Sequence, residues 1–265
     1  MLGLTDPGLG AATLTALAAS QQEVDAAGGY AAQVVAAKDL FPKHRGRAYF
    51  RPVKAGLAAM CAGAQRCCYC EDSVGDEVEH IKPKDLYPEV VFVWDNYVYA
   101  CGPCNGGKNN KFAVINRNGE KVIVTRPRRA PVRKPAAGKP AFLNPRDEDP
   151  LAYLDLEIVD TYMFLPREGL SGRDEFRAEF TIEALKLNRD VLTAARRNAY
   201  GSYRARLLEY RVLRDDAVPP AKLGRLRDGI TSMPHPTVWR EIQRQQEWIP
   251  ELRPLFADVP EALGW

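Results

Sequence analysis

Residues 67–70 read Cys67-Cys68-Tyr69-Cys70, and residues 101–104 read Cys101-Gly102-Pro103-Cys104. Each contains a Cys-x-x-Cys pair, and thirty residues separate the two pairs. A tight turn that presents two sulfurs at this spacing, used twice, is how four thiolates close a tetrahedron around zinc. Such a site has no open position for water, so its metal holds shape and does no chemistry. The plain alternative is four unlinked buried cysteines. Cys68, next to Cys67, leaves the register of the first pair open, and Cys61 falls on a helix-like stretch where a core role is the simpler reading. Closing the site would contribute on the order of 10 kcal/mol to folding of the surrounding segment.

Between and just after the pairs stand Glu79-His80-Ile81-Lys82-Pro83, Trp94-Asp95-Asn96 and Cys104-Asn105-Gly106-Gly107-Lys108-Asn109. Strand-like pieces at Glu77–Ile81 and Tyr97–Ala100, and a short helix opening near Pro103, carry them. In order, spacing and residue type these motifs resemble the HNH, or His-Me finger, nucleases over residues 67–112. That family has an acid followed by His on a first strand, an Asn entering a second, and Asn or His on a short helix. The resemblance implies an α+β chain, mostly helical, with a ββα-metal (His-Me finger) core and a four-cysteine zinc site between helical N- and C-terminal regions. It makes His80 the general base that activates water and Glu79 a metal ligand. Asn96 becomes the residue that pins the loop and orients His80, Asn105 a second ligand, and Asn109 the position where some members place a further His. This sequence departs from the pattern in having Asn at both helix positions, which favours a hard ion, Mg²⁺ or Mn²⁺, over zinc or nickel at the catalytic site.

The chemistry is coherent without the likeness. Phosphodiester cleavage needs a nucleophilic water, charge relief on the phosphate and stabilisation of the leaving oxygen; one divalent ion supplies the last two. An imidazole of ordinary pKa, about 6.5, accepts the proton at neutral pH. Neighbours on a strand point to opposite faces, so Glu79 and His80 can share a site only if the backbone bends or the site sits at the strand end, which Pro83 allows. The bland readings are a core histidine at 80, a turn cap at Asn96 and a core indole at Trp94; His44 and His235 lie outside the motif and read as non-catalytic.

The chain has 265 residues, 46% of them apolar and 27% charged, which excludes wholesale disorder and coiled coil. Lys and Arg number 37 against 34 acids, a net +3 that says little about partners. The distribution says more: Lys108 to Lys139 holds ten Lys/Arg against Glu120 alone. Read as a phosphate track, it nominates Lys108, Lys111, Arg126, Arg128 and Arg129 as nucleic-acid contacts. Solvation, or pairing with the six acids of residues 144–160, is the competing use. No base-reading element is evident, so low sequence specificity is expected. No Lys or Arg precedes Lys38, and the uncharged run Pro7 to Gln22 is too short and polar to cross a bilayer, so a cytoplasmic protein without a membrane partner is expected.

Four regions follow from these patterns. Residues 1–66 form a helical N-terminal region, with candidate helices at Ala11–Ala27, Tyr30–Leu40 and Arg51–Cys61, read as a packing element. Residues 67–112 form the nuclease core. Residues 113–140 form a basic hairpin, turning at Asn118-Gly119, and a Pro/Arg arm from Arg126 to Pro140. Residues 141–265 are mainly helical. There a helix opens at Thr181 and breaks at Asn188, and a longer one reaches Arg214. Its stripe is Leu192, Ala195, Ala199, Tyr203, Leu207 and Tyr210. Pro219-Pro220 ends it, and a last helix runs from Pro236 to Trp248.

Beyond the core, Phe142-Leu143-Asn144-Pro145 and Thr181 to Asn188 also resemble the HNH subunits of Septu-type and retron-associated anti-phage systems. Those work beside an ABC-type ATPase, which implies such a partner here; this chain has no P-loop of its own. The expected function is metal-dependent hydrolysis of DNA by a defence effector. RNA or tRNA cleavage, and a non-catalytic zinc-stapled module that binds nucleic acid or protein, are the alternatives.

Overall fold

A computed structural model describes residues 1–265 apart from Arg128. Three helices come first: α1 (Ala11–Asp25), α2 (Tyr30–Arg45) and α3 (Phe50–Met60). The sequence suggests that α2 stops before Pro42, yet the helix runs through it. Proline removes one backbone donor there, but the same turn buries Phe41 and His44, and that burial holds the helix together.

The cysteine-rich region supplies β1 (Glu77–His80), β2 (Tyr97–Ala100) and α4 (Gly102–Lys108). The strands pair antiparallel, Glu77 opposite Ala100 and His80 opposite Tyr97, and α4 lies against β1. All four residues of β2 are buried, because α3 covers this sheet. Gly56 of α3 meets the indole of Trp94 so closely that an added Cβ would lie 3.0 Å from it. Trp94 is buried, its Nε1 donating to Asp6, with the Arg146 guanidinium 4.4 Å above its ring.

β3 (Ala113–Ile115), β4 (Lys121–Ile123) and β5 (Lys139–Pro140) form an antiparallel sheet in the order β4-β3-β5. The Asn118-Gly119 turn forms with Gly119 at φ +81°, the left-handed region that glycine tolerates. The Pro/Arg arm is not a linker throughout: its end returns to pair with β3. Gly138 permits this approach, since a Cβ there would sit 2.6 Å from the Ile115 carbonyl oxygen.

The C-terminal part holds the hairpin β6 (Leu154–Leu156) and β7 (Phe164–Pro166), then α5 (Gly172–Leu185), α6 (Asp190–Asp215), α7 (Pro220–Thr231), α8 (Pro236–Gln245) and α9 (Arg253–Asp258). α5 opens well before Thr181 because Ser171 caps the Asp174 N–H, with Asp174 and Glu175 in the first turn. Lys186, left-handed at φ +51°, ends it, and the Asn188 amide clasps both the N–H and the carbonyl of Phe164 at 2.8 Å. Pro220 begins a helix the sequence reading lacks, proline being well placed in a first turn. Five of the six stripe residues on α6 are buried, Ala195 being half-buried. Arg196 joins them, donating to the Tyr162 and Leu187 carbonyls.

The chain is α+β and about half helical, with small sheets. One core cluster runs from Leu17 and Phe50 through Tyr97 to Leu192 and Trp239, joining the cysteine region to the helices on both sides. Among the described residues, no helix is long and apolar enough to cross a membrane.

Candidate functional site

Cys67, Cys70, Cys101 and Cys104 are buried, and their sulfurs lie within 4.8 Å of one another. Coordination of zinc at about 2.3 Å spaces tetrahedral sulfurs about 3.8 Å apart, and Cys70 and Cys101 stand at 3.7 Å. The donor set and spacing fit a closed zinc site. The knuckle folds locally: Cys67 N–H donates to Ser73 O, Glu71 N–H to Cys67 O, and Gly75 lets the returning chain pass Cys67. The second pair opens α4, where Cys104 and Asn105 N–H both donate to Cys101 O. Cys68 turns aside to meet Cys61 at 3.8 Å, which fixes the register of the first pair. The Arg189 guanidinium lies 3.8 Å from Cys104 Sγ, from 85 residues away, where it would offset the charge of a four-thiolate site.

β1 and α4 are joined by two polar rungs. Glu77 and Glu79, two apart on a strand, share a face; Asn105 and Lys108, three apart on a helix, share another. Asn105 Nδ2 donates to Glu77 Oε2 at 2.7 Å, and Lys108 Nζ donates to Glu79 Oε1 at 2.5 Å. Lys108 Nζ also donates to the His80 carbonyl at 2.8 Å and sits 5.3 Å from the centre of the Phe142 ring. Lys108 is therefore not a surface phosphate contact: its ammonium is 0% exposed. Burial lifts the Glu79 carboxyl above its ordinary value, with Lys108 pulling the other way.

The His80 ring packs against Phe41 at 4.4 Å and Tyr97 at 5.2 Å between ring centres. Its Nε2 lies 3.0 Å from the Val91 carbonyl oxygen, which can only accept, so Nε2 carries the proton and Nδ1 keeps its lone pair. Burial pushes the imidazole down to about 3, and the Lys84, Lys108 and Arg45 cations push the same way. The ring is neutral at pH 7. Asn96 ties the connecting loop: Oδ1 accepts from Lys82 N–H at 2.8 Å, and Nδ2 donates to Lys82 O at 3.1 Å and to Val90 O at 3.0 Å.

Glu77, Glu79, His80, Lys84, Asn105 and Asn109 line one open pocket of about 290 Å³ at the end of β1. Asn109, at φ +44°, also lines an adjoining groove of about 690 Å³ with Gly106 and Asn110. Lys38, Lys111, Arg126 and Arg129 border this groove, and Arg126 Nη1 is buried without a hydrogen-bond partner among the described residues. Arg128 lies outside the described residues. Among those described, no ion pair joins the basic stretch to the acids of residues 144–160; Glu148 pairs with Arg177 and Asp155 with Arg244. A hollow of about 740 Å³ beside Arg167, Arg240 and Arg244 contains none of the expected site residues. Sequence reading missed Glu77, Lys84, Lys38 and Arg189. Lys84 directly follows the Glu79–Pro83 motif in sequence; the others meet the site only through folding.

Among the described residues, the four cysteines are the one group of three or more His, Cys, Asp or Glu side chains whose ligand atoms converge. No protein-family model matches the chain. The chain is similar to the Septu protein PtuB of Bacillus thuringiensis, 40% identical over 69 residues. The match spans 23% of this chain and 27% of that protein.

Proposed function

We propose that this chain is an HNH-type, metal-dependent DNA endonuclease acting in anti-phage defence. The observation that carries the reading is the placement of His80: an imidazole whose Nε2 proton is fixed on Val91 O of a loop tied by Asn96, at a pocket shared with Glu79 and Asn105. In this reading β1, β2 and α4 form the ββα-metal unit, and the zinc knuckle holds it rigid. Nδ1 of His80 takes a proton from water. A phosphodiester anion entering the pocket would oppose the Lys84, Lys108 and Arg45 cations and so raise the basicity of the ring, against the larger depression that burial causes. Lys84 faces that anion, and Lys111, Arg126 and Arg129 carry the strand away along the adjoining groove.

Glu79, Asn105 and Asn109 would hold Mg²⁺ or Mn²⁺. Their oxygen donors suit a hard ion, and Glu79 keeps one oxygen that Lys108 does not engage. Such an ion supplies charge relief on the phosphate and the leaving oxygen. The likeness to a Septu protein supports a place in a defence system with a partner, proposed to be an ABC-type ATPase. The division into four regions at residues 66, 112 and 140 belongs to the same proposal.

Purified protein offered plasmid DNA and RNA in separate reactions with Mg²⁺, beside a His80→Ala control, tests the reading. Cutting of DNA by the parent alone supports it. Cutting of RNA alone supports the second substrate class, and equal cutting by both proteins removes His80 from the mechanism.

A further inference from the structure

The two rungs between β1 and α4 differ in charge. In Glu79–Lys108 a buried ammonium neutralises the carboxylate. In Glu77–Asn105 the partner is a neutral amide, and among the described residues no Lys, Arg or His nitrogen lies within 4.0 Å of Glu77. Of the two carboxylates in the pocket beside His80, Glu77 is thus the one that no cation pairs directly.

We infer that Glu77 is part of the cation site, as its anionic partner and as the residue that orients Asn105. This rests on the nuclease reading above and adds a residue to it. The Asn105 Nδ2 bond to Glu77 fixes which way the amide lies and leaves Oδ1, an acceptor, for a cation. Gly102 makes room: a Cβ there would sit 3.3 Å from Glu77 Oε1. Mg²⁺ and Mn²⁺ bind through one or two carboxylates with several waters kept, and a pocket of about 290 Å³ accommodates that hydrated ion. Half-buried, Glu77 also lines the next hollow along, with Arg45 and Lys54, so its carboxylate is reachable from solvent.

Mn²⁺ binding to the zinc-loaded chain without nucleic acid, followed by electron paramagnetic resonance, tests this apart from catalysis. Glu77→Gln still accepts from Asn105, so the rung survives while the charge is lost. The expected result is Mn²⁺ affinity about 10–100-fold weaker, with zinc content and thermal midpoint unchanged. The double variant Glu77→Gln, Asn105→Asp moves the charge across the rung and is expected to recover affinity. If the parent binds Mn²⁺ and Glu77→Gln binds it equally well, the inference fails and the nuclease reading stands. If the parent binds none, both fail.

Discussion

Asn96 and His80 are joined through two consecutive carbonyls. Asn96 Nδ2 donates to Val90 O and His80 Nε2 to Val91 O, each at 3.0 Å, while Asn96 also holds both backbone groups of Lys82, two residues past His80. One buried amide thus fixes both ends of the loop on which the orientation of the imidazole depends.

Replacing Asn96 with Ala removes three hydrogen bonds and leaves backbone groups of Lys82 and Val90 unpaired. At about 1 kcal/mol for each bond, a loss of about 2–4 kcal/mol in stability is expected. Cleavage is expected to fall at least ten-fold while zinc content stays at one per chain. Urea melts and metal analysis, run beside the cleavage assay, separate the two effects.

Zinc at the four-cysteine cluster, as proposed, makes a firmer structural demand. Chelation, or Cys104→Ser, removes a linkage that holds the knuckle, β2 and α4 together, and its apparent worth is on the order of 10 kcal/mol. The chain is expected to bind one zinc and to lose cooperative melting when stripped. A stripped chain that melts as the loaded one does would refute this.

Lys108 and Arg126 are expected to separate cleanly. Lys108→Met leaves Glu79 buried and unpaired, at a cost of about 3–5 kcal/mol in stability, and leaves the salt dependence of DNA binding as it was. Arg126→Ala is expected to spare stability and to lower the salt slope of binding by about 1. Fluorescence anisotropy across a salt series reads the slope.

Burial holds two imidazoles below their ordinary pKa, His80 to about 3 and His235 in the same direction. In the unfolded chain both titrate near about 6.5. Between those values the unfolded state binds more protons, so stability is fully present above about pH 6.5 and declines as pH falls toward 3. The urea midpoint is expected to drop from pH 7 to pH 5. His235→Asn suits the left-handed backbone at φ +58° and is expected to flatten that slope.

The parts legible in the sequence are those set by local spacing. The Cys-x-x-Cys pairs, the Asn118-Gly119 turn and the stripe on α6 each depend on residues a few positions apart. What was hidden depends on partners far along the chain. Lys108 reads as a surface lysine until Glu79 and the His80 carbonyl close on it, and Arg189 has no visible tie to Cys104. Glu77 reads as the first residue of a strand, and only the antiparallel register of β1 with β2, with α4 laid across it, sets it opposite Asn105. The start of α5 had a signal in Ser171 and Asp174, which Gly172 between them obscured.

The proposed reaction turns on His80 as the proton acceptor for the attacking water. Its most direct measurement is the single-turnover nicking rate of supercoiled plasmid by zinc-loaded protein in Mn²⁺, parent against His80→Ala. A loss on the order of 100-fold or more, with plasmid binding retained, is predicted; nicking at the same rate by both proteins would contradict it.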